Sequence, residues 1–513
     1  MLEEVNNEGM SWKYSVSLFV CVFLAACSNN SGTASGGIAA SPGATNTPVS
    51  PVNSNGPASP VNPVGATAAK SLQWTWADGA NSIYAFSHYG SFGVASTSNN
   101  PGGRSNSLSW VDGSGNFWLF GGEALDSTGA VGVMNDLWEY SPSSGEWTWA
   151  SGARLISQNG IYGSMGVSSI SNTPGTRRYS ATWVDASGNL WLFGGQGFDS
   201  TGSSEVLLND LWKFNPTNSQ WTWVGGSSTG SQSGVYGTAL VAGGGNIPGA
   251  RDGAATWTDG AGNFWLSGGY GYDSTVNARY LNDLWKFNLT SGQWTWMGGS
   301  STGNQIGVYG TAGTASASNI PGSRTYAASW GDASGNFWLF GGDGYDGASQ
   351  TGYLNDLWKF NPKTSQWTWV SGANLVNQNG VYGTEGMASA ANVPGSRMDL
   401  PAWADTSGNF WLFGGTGFDS QGFDSSGNRY LGDLWKFNPA TSQWTWVDGA
   451  NIVNQKGVYG TEGTASVSNI PGGREGAAFW LDKAGNFWLF GGSGSDTSAS
   501  VGLLGDLWNY SPK

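Results

Sequence analysis

Short apolar blocks of four or five residues recur along the chain from residue 73, divided by clusters of Gly, Asn, Asp, Pro and Ser. No long stretch carries the 3.6-residue apolar period of an amphipathic helix, so the pattern predicts strands. In a representative unit, Arg324 to Trp330 predicts a first strand, and Asn336-Phe337-Trp338-Leu339-Phe340 a second that ends at Gly341-Gly342. Between them, Asp332-Ala333-Ser334-Gly335-Asn336 has hairpin-turn chemistry. Asp356-Leu357-Trp358-Lys359-Phe360 predicts a third strand and Gln366-Trp367-Thr368-Trp369-Val370 a fourth. Strands two and three are aromatic on both faces, which fits sheets buried on both sides.

The unit occurs six times, and such self-similarity is the strongest signal in the chain. Trp-Thr-Trp begins at Trp74, Trp147, Trp221, Trp294, Trp367 and Trp444. Asp-Leu-Trp places Asp136, Asp210, Asp283, Asp356, Asp433 and Asp506. Gly-Gly pairs start at Gly121, Gly194, Gly268, Gly341, Gly414 and Gly491. A Pro-Gly-x-Arg element places Arg104, Arg177, Arg251, Arg324, Arg397 and Arg474. Trp74-Thr75-Trp76 is a fourth strand with no unit before it, whereas the last unit, Arg474 to Tyr510, has three strands. The N-terminal strand is expected to complete the last sheet and close the array, which removes an exposed sheet edge.

These elements resemble the kelch repeat: the Gly-Gly after strand two, the aromatic of strand three and the Trp of strand four. The resemblance covers roughly 73–513 and implies an all-β fold, a six-bladed kelch-type β-propeller with four antiparallel strands per blade, its ring closed by the N-terminal strand. The galactose oxidase central domain is the nearest family for that fold. The units here are longer than usual for kelch, with the extra length between strands four and one. Copper oxidase activity of the galactose oxidase type is rejected: that resemblance would require two His and a Cys-crosslinked Tyr, and this body has His88 alone and no Cys. No cofactor is implied.

Spacing separates scaffold from variable positions. The Arg precedes the Gly-Gly by 17 residues and follows the first Trp of Trp-Thr-Trp by 30 in all six units. An unvarying connection of that length, with Tyr-Gly at Tyr89, Tyr162, Tyr236, Tyr309, Tyr382 and Tyr459, is read as an ordered loop packed on one face. The loops from strand two to three lie on the same face, and binding sites collect on such loops.

Of the 513 residues, 84 are Gly and 31 Trp, and the net charge of −14 argues against a nucleic-acid surface. Every Trp except Trp12 falls at a repeated position, so the Trp are read as scaffold. Cys21 and Cys27 both lie near the N-terminus, so the folded part has no disulfide, thiol nucleophile or Cys-based metal site. Met10 to Cys27 has a basic Lys13, an apolar stretch and Leu24-Ala25-Ala26-Cys27, which resembles a bacterial lipobox. Residues 1–26 are accordingly expected to be a signal peptide, with Met10 an alternative start. Cys27 is the expected lipidation site, and 27–72 a disordered tether of Ser, Pro, Ala, Gly and Asn. The expected location is the outer membrane, periplasmic or cell-surface, with the lipid as its only membrane contact.

Candidate site residues follow from the long-loop face. The six repeated Arg near the channel mouth are either an anion site, through bidentate guanidinium forks, or scaffold, each paired with the Asp of an Asp-Leu-Trp. Positions that vary between repeats are better candidates: Arg178, Asp252, Asp399 and Glu475 beside the repeated Arg, and Phe198, Tyr272, Tyr345 and Phe418 in the two-to-three loops. The recurring Asp of those loops (Asp126, Asp199, Asp273, Asp346, Asp419, Asp496) reads as turn capping, since one Asp per loop is too few oxygens for Ca²⁺. The leading expectation is a monomeric binding propeller for a protein or glycan ligand. Alternatives are a sugar-modifying enzyme, because six-bladed kelch proteins include a sialate mutarotase whose acid–base work would suit a carboxylate and an Arg, and a structural envelope protein.

Overall fold

The computed structural model describes residues 72–202, 204–422 and 429–512. The expected signal peptide, Cys27 and the tether to residue 71 lie outside the described residues. Every described element is a β-strand, and every strand pairing is antiparallel. This all-β arrangement fits a β-propeller.

The unit around Arg251 shows how the sequence builds one sheet. Ala255–Thr258 pairs with Phe264–Tyr272, which pairs with Ala278–Asn288, which pairs with Gln293–Gly298. In the turn before Phe337, Asp332 Oδ1 accepts the backbone N–H groups of Ser334 and Asn336, and Asp332 Oδ2 accepts the Trp338 indole at 2.8 Å. The predicted first strand departs from expectation, because it is broken in two. Arg324–Thr325 and Ala328–Gly331 are separate, since Tyr326 takes a left-handed φ of 56° that interrupts pairing. The N-terminal strand Gln73–Ala80 pairs with Gly505–Ser511, matching Trp74 to Tyr510.

Adjacent sheets bury their aromatic faces against each other. Trp183 stacks on Phe264 of the next repeat with centroids 5.1 Å apart, and its indole donates to the Trp257 carbonyl at 3.1 Å. Trp257 and Trp403 repeat this toward Trp330 and Trp480. Trp480 in turn stacks on Phe117 at 5.1 Å and donates to the Trp118 carbonyl at 3.2 Å, linking the last repeat to the first.

The long connection is ordered, as its fixed length predicts. Asn319 donates from Nδ2 to the Trp367 carbonyl at 3.1 Å, and Tyr309 donates its hydroxyl to Asp356 Oδ2 at 2.7 Å. The two-to-three loops touch these connections. Asp126 caps its own turn through the Thr128 N–H and receives the Ile156 N–H on its other oxygen.

Candidate axial site

Six chain segments meet just after the repeated arginines. Asn106, Tyr179, Gly253, Tyr326, Asp399 and Gly476 all have φ between 55° and 62°. Their backbones form a circuit. Asn106 N–H donates to Gly476 O (2.7 Å), Gly476 to Asp399 (3.1 Å), Asp399 to Tyr326 (3.0 Å), Tyr326 to Gly253 (2.8 Å), Gly253 to Tyr179 (3.0 Å) and Tyr179 to Asn106 (3.4 Å). The six residues also line one end of a cavity of about 450 Å³ whose walls include Ser109, Thr182, Thr256, Ala404 and Phe479.

Two positions of the circuit are glycine for a steric reason. A Cβ on Gly253 would lie 2.6 Å from the Tyr326 ring, and one on Gly476 would run into Asn106 Oδ1. The space left at Gly253 lets Tyr179 and Tyr326, from repeats on either side, approach to 4.7 Å between centroids. Tyr179 OH accepts Asn106 Nδ2 at 2.8 Å, and Tyr326 OH donates to Asp252 Oδ2 at 3.3 Å.

Three carboxyl groups from three repeats lie around Tyr179; Asp399 lines the cavity, whereas Asp252 and Glu475 do not. Asp252 is 5% exposed, and its Oδ1 has no hydrogen-bond partner. Burial pushes it up to about 7, against the pull of the Tyr326 hydroxyl and the Arg178 charge. Asp399 and Glu475 are half-buried and influence each other; burial raises both, and the Asp399 charge raises Glu475 further. Among the described residues, neither carboxyl has a hydrogen-bond or ion-pair partner. Groups that change protonation near neutral pH can take up or release a proton from a bound ligand. Tyr179 and Tyr326 are pushed well above the usual tyrosine value, first by burial and then by these carboxylates, so both remain protonated donors.

Arg178 is engaged by two carboxylates and one side-chain amide. Its Nη1 is 2.9 Å from Glu123 and its Nη2 3.1 Å from Glu205, while Nε and Nη2 both reach Gln196 Oε1. Glu205, in the loop between strands two and three, was not singled out from the sequence; its position in a variable-length loop beside the mouth is the signal that pointed there.

The six repeated arginines are pinned elsewhere. Arg324 Nη1 and Nη2 grip the two oxygens of Asp356 at 2.6 and 2.8 Å, and its remaining N–H groups reach the Gly322 and Gly341 carbonyls. Arg104, Arg177, Arg251, Arg397 and Arg474 hold Asp136, Asp210, Asp283, Asp433 and Asp506 in the same way. All six guanidiniums are at most 4% exposed, so the anion-site alternative gives way to the scaffold one. Phe198 and Phe418 are buried, and Tyr345 packs edge-on to Tyr280. With Tyr272, they are absent from the cavity lining, because their backbones pair with the residues preceding the arginines.

Among the described residues, no three acidic, His or Cys side chains are placed to hold a metal ion. No family model matches the chain. Over 171 residues, 30% of its length, the chain is 29% identical to the N-acetylneuraminate epimerase of Escherichia coli strain K12. It is 28% identical over the same span to the enzyme of that name from Shigella flexneri. It spans 44% of the length of these curated relatives.

Proposed function

We propose that residues 73–513 form a closed six-bladed kelch-type propeller that binds a sugar at its axis. The carrying observation is a set of three carboxyls without an ion-pair partner among the described residues, Asp252, Asp399 and Glu475, which come from three repeats to the surroundings of Tyr179 and Tyr326. Carboxyl and hydroxyl groups of this kind match the dense hydroxyl pattern of a sugar. Closure is supported by the seam pairing of Gln73–Ala80 with Gly505–Ser511, by Trp480 reaching Trp118, and by the backbone circuit. A sugar ligand is supported by the partial likeness to proteins named for acting on a sugar.

A second reading, acid–base isomerisation of the bound sugar, is favoured by the mutual influence of Asp399 and Glu475. Titration calorimetry of the full chain against a panel of neutral, acidic and amino sugars tests binding. NMR observation of anomer interconversion tests catalysis. Absence of binding across the panel defeats the proposal. Binding without faster interconversion leaves a binder alone.

The lipobox-like Leu24-Ala25-Ala26-Cys27 supports export and lipid anchoring at the outer membrane, where the propeller would act as a monomer on an extracytoplasmic sugar. Labelled palmitate should enter the wild-type chain and not Cys27→Ser.

A further inference from the structure

The axial cavity is shut at one end and meets solvent at the other. The shut end is the backbone circuit, where the Tyr179 and Tyr326 rings lie 4.7 Å apart and Asn106 Nδ2 donates to the Tyr179 hydroxyl. From there the walls follow the inner strands to Val111, Ala404 and Leu481, the last residues of Leu108–Val111, Ala402–Ala404 and Ala478–Leu481. The turns into the second strands begin directly after them. Thr258 and Gly331, at the same register in two other repeats, are exposed. The open end thus belongs to the face of the one-to-two turns, away from the long loops, which enter the same strands at their Arg end.

The two flanks of the cavity differ. Phe479 stands where the other repeats have Ser109, Thr182, Thr256, Ser329 and Ala402. It is 36% exposed, and its ring packs edge-on to Trp403 at 5.8 Å. Leu400 and Leu481 extend this apolar flank. On the other flank, the Thr182 and Thr256 hydroxyls make no hydrogen bond among the described residues. Ser109 and Ser329 are tied down, donating to the Phe479 and Thr256 carbonyls. Gly253 and Gly476 are on opposite sides of the circuit, so Thr256 faces Phe479 across the cavity.

This lining selects a class of ligand. Asp399, at the shut end, is its one charged member among the described residues; Arg178, Arg279 and Arg429 all lie outside it. Arg178 and Arg279 have carboxylate partners, and Arg429 lies over the Phe418 ring. A sugar acid would meet no cation in the cavity, and a like charge at its end. A wholly apolar ligand would displace water from Thr182 and Thr256 and replace none of its hydrogen bonds. A pyranose has C–H groups on one face and hydroxyls around its rim that both donate and accept, which suits both flanks. The volume of about 450 Å³ is in the range of small-molecule sites.

We infer that the axial cavity takes a neutral pyranose that enters from the face of the one-to-two turns, with its apolar face on Phe479 and its hydroxyls toward Thr182 and Thr256. This rests on the reading of the axis as a sugar site. Calorimetry with the full chain, using the methyl glycosides of glucose, galactose and mannose and, as the acid, N-acetylneuraminate, tests it. At least one glycoside should bind, and more tightly than the acid. Phe479→Ala should weaken it about threefold to tenfold, the scale of one aromatic contact. Thr256→Val should weaken it by a similar factor, the scale of one hydrogen bond. Thr182→Trp, which fills the cavity, should abolish binding while thermal melts show the chain folded. Phe479→Ala, at an exposed side chain, gives the readout should Thr182→Trp fail to fold. Glycoside affinity unchanged in Phe479→Ala and Thr256→Val, or a preference for the acid, overturns the inference while leaving a sugar site elsewhere at the axis. No binding of any of the four overturns both.

Discussion

The backbone N–H of Asn106 lies 2.7 Å from the carbonyl oxygen of Gly476, so the first repeat bonds directly to the last at the axis. This link and the five like it demand left-handed backbone at every member. Gly253 meets that demand and must also lack a side chain. Gly253→Val should destabilise the protein by about 2–4 kcal/mol, combining φ strain with collision against the Tyr326 ring. Denaturant unfolding measures the loss, and a change of under about 0.5 kcal/mol would contradict the stated geometry.

The seam carries its own prediction. Trp74 is 1% exposed and packs on Phe413, Tyr510 and Trp508, with centroids at 5.3, 4.9 and 6.4 Å. Trp74→Ala should cost about 3–5 kcal/mol, as a large buried aromatic does. Trp149→Ala, at an equivalent triplet's half-buried second Trp, should cost less. The comparison is read from thermal melts of the two variants.

The Arg–Asp pairs should behave as buried ion pairs. Arg324→Met leaves Asp356 with the Tyr309 and Trp358 donors but no charge partner, and should destabilise by about 3–5 kcal/mol. Sugar affinity at the axis should be unchanged at temperatures where the variant remains folded. A loss of affinity without loss of stability would return the arginines to the site.

Stability should depend on pH through Asp252. The native state holds its proton up to about 7, whereas the unfolded chain releases it near the usual carboxylate value of about 4. The folded protein therefore binds more protons across that window, so the stabilisation present at low pH is lost as pH climbs through it and levels off above about 7. The difference is on the order of a few kcal/mol. Asp252→Asn should flatten the fall in denaturation midpoint between about pH 5 and about pH 8; an unchanged slope would mean that Asp252 is ionised in the folded state.

The sequence showed the repeated parts well, because each has a local reason. Turn aspartates, Gly-Gly pairs and the aromatic strands recur with fixed spacing, and the pairing of Arg324 with Asp356 was one of two readings that spacing allowed. The role of Tyr309 was less visible: its position announced an ordered loop, while its hydroxyl bond to Asp356 depends on how two segments fold together. The axial cluster was legible only as a set of variable positions. Nothing local places Asp399 beside Glu475, since that proximity exists only once separate repeats meet. The break in the first strand had a faint signal: Asn, Gly and Asp recur at the position two after the Arg, and these residues tolerate left-handed backbone.

The six axial hydrogen bonds all run the same way around the circuit, donor to acceptor. The in-plane components of peptide dipoles arranged head to tail around a closed path cancel, unlike the dipoles of a helix, which add along its axis. The circuit therefore adds little net dipole within its own plane. The polarity of whatever sits there is set by the few side chains that differ between repeats, and exchanging an Asp for an Arg among them can invert it without disturbing a single bond of the frame.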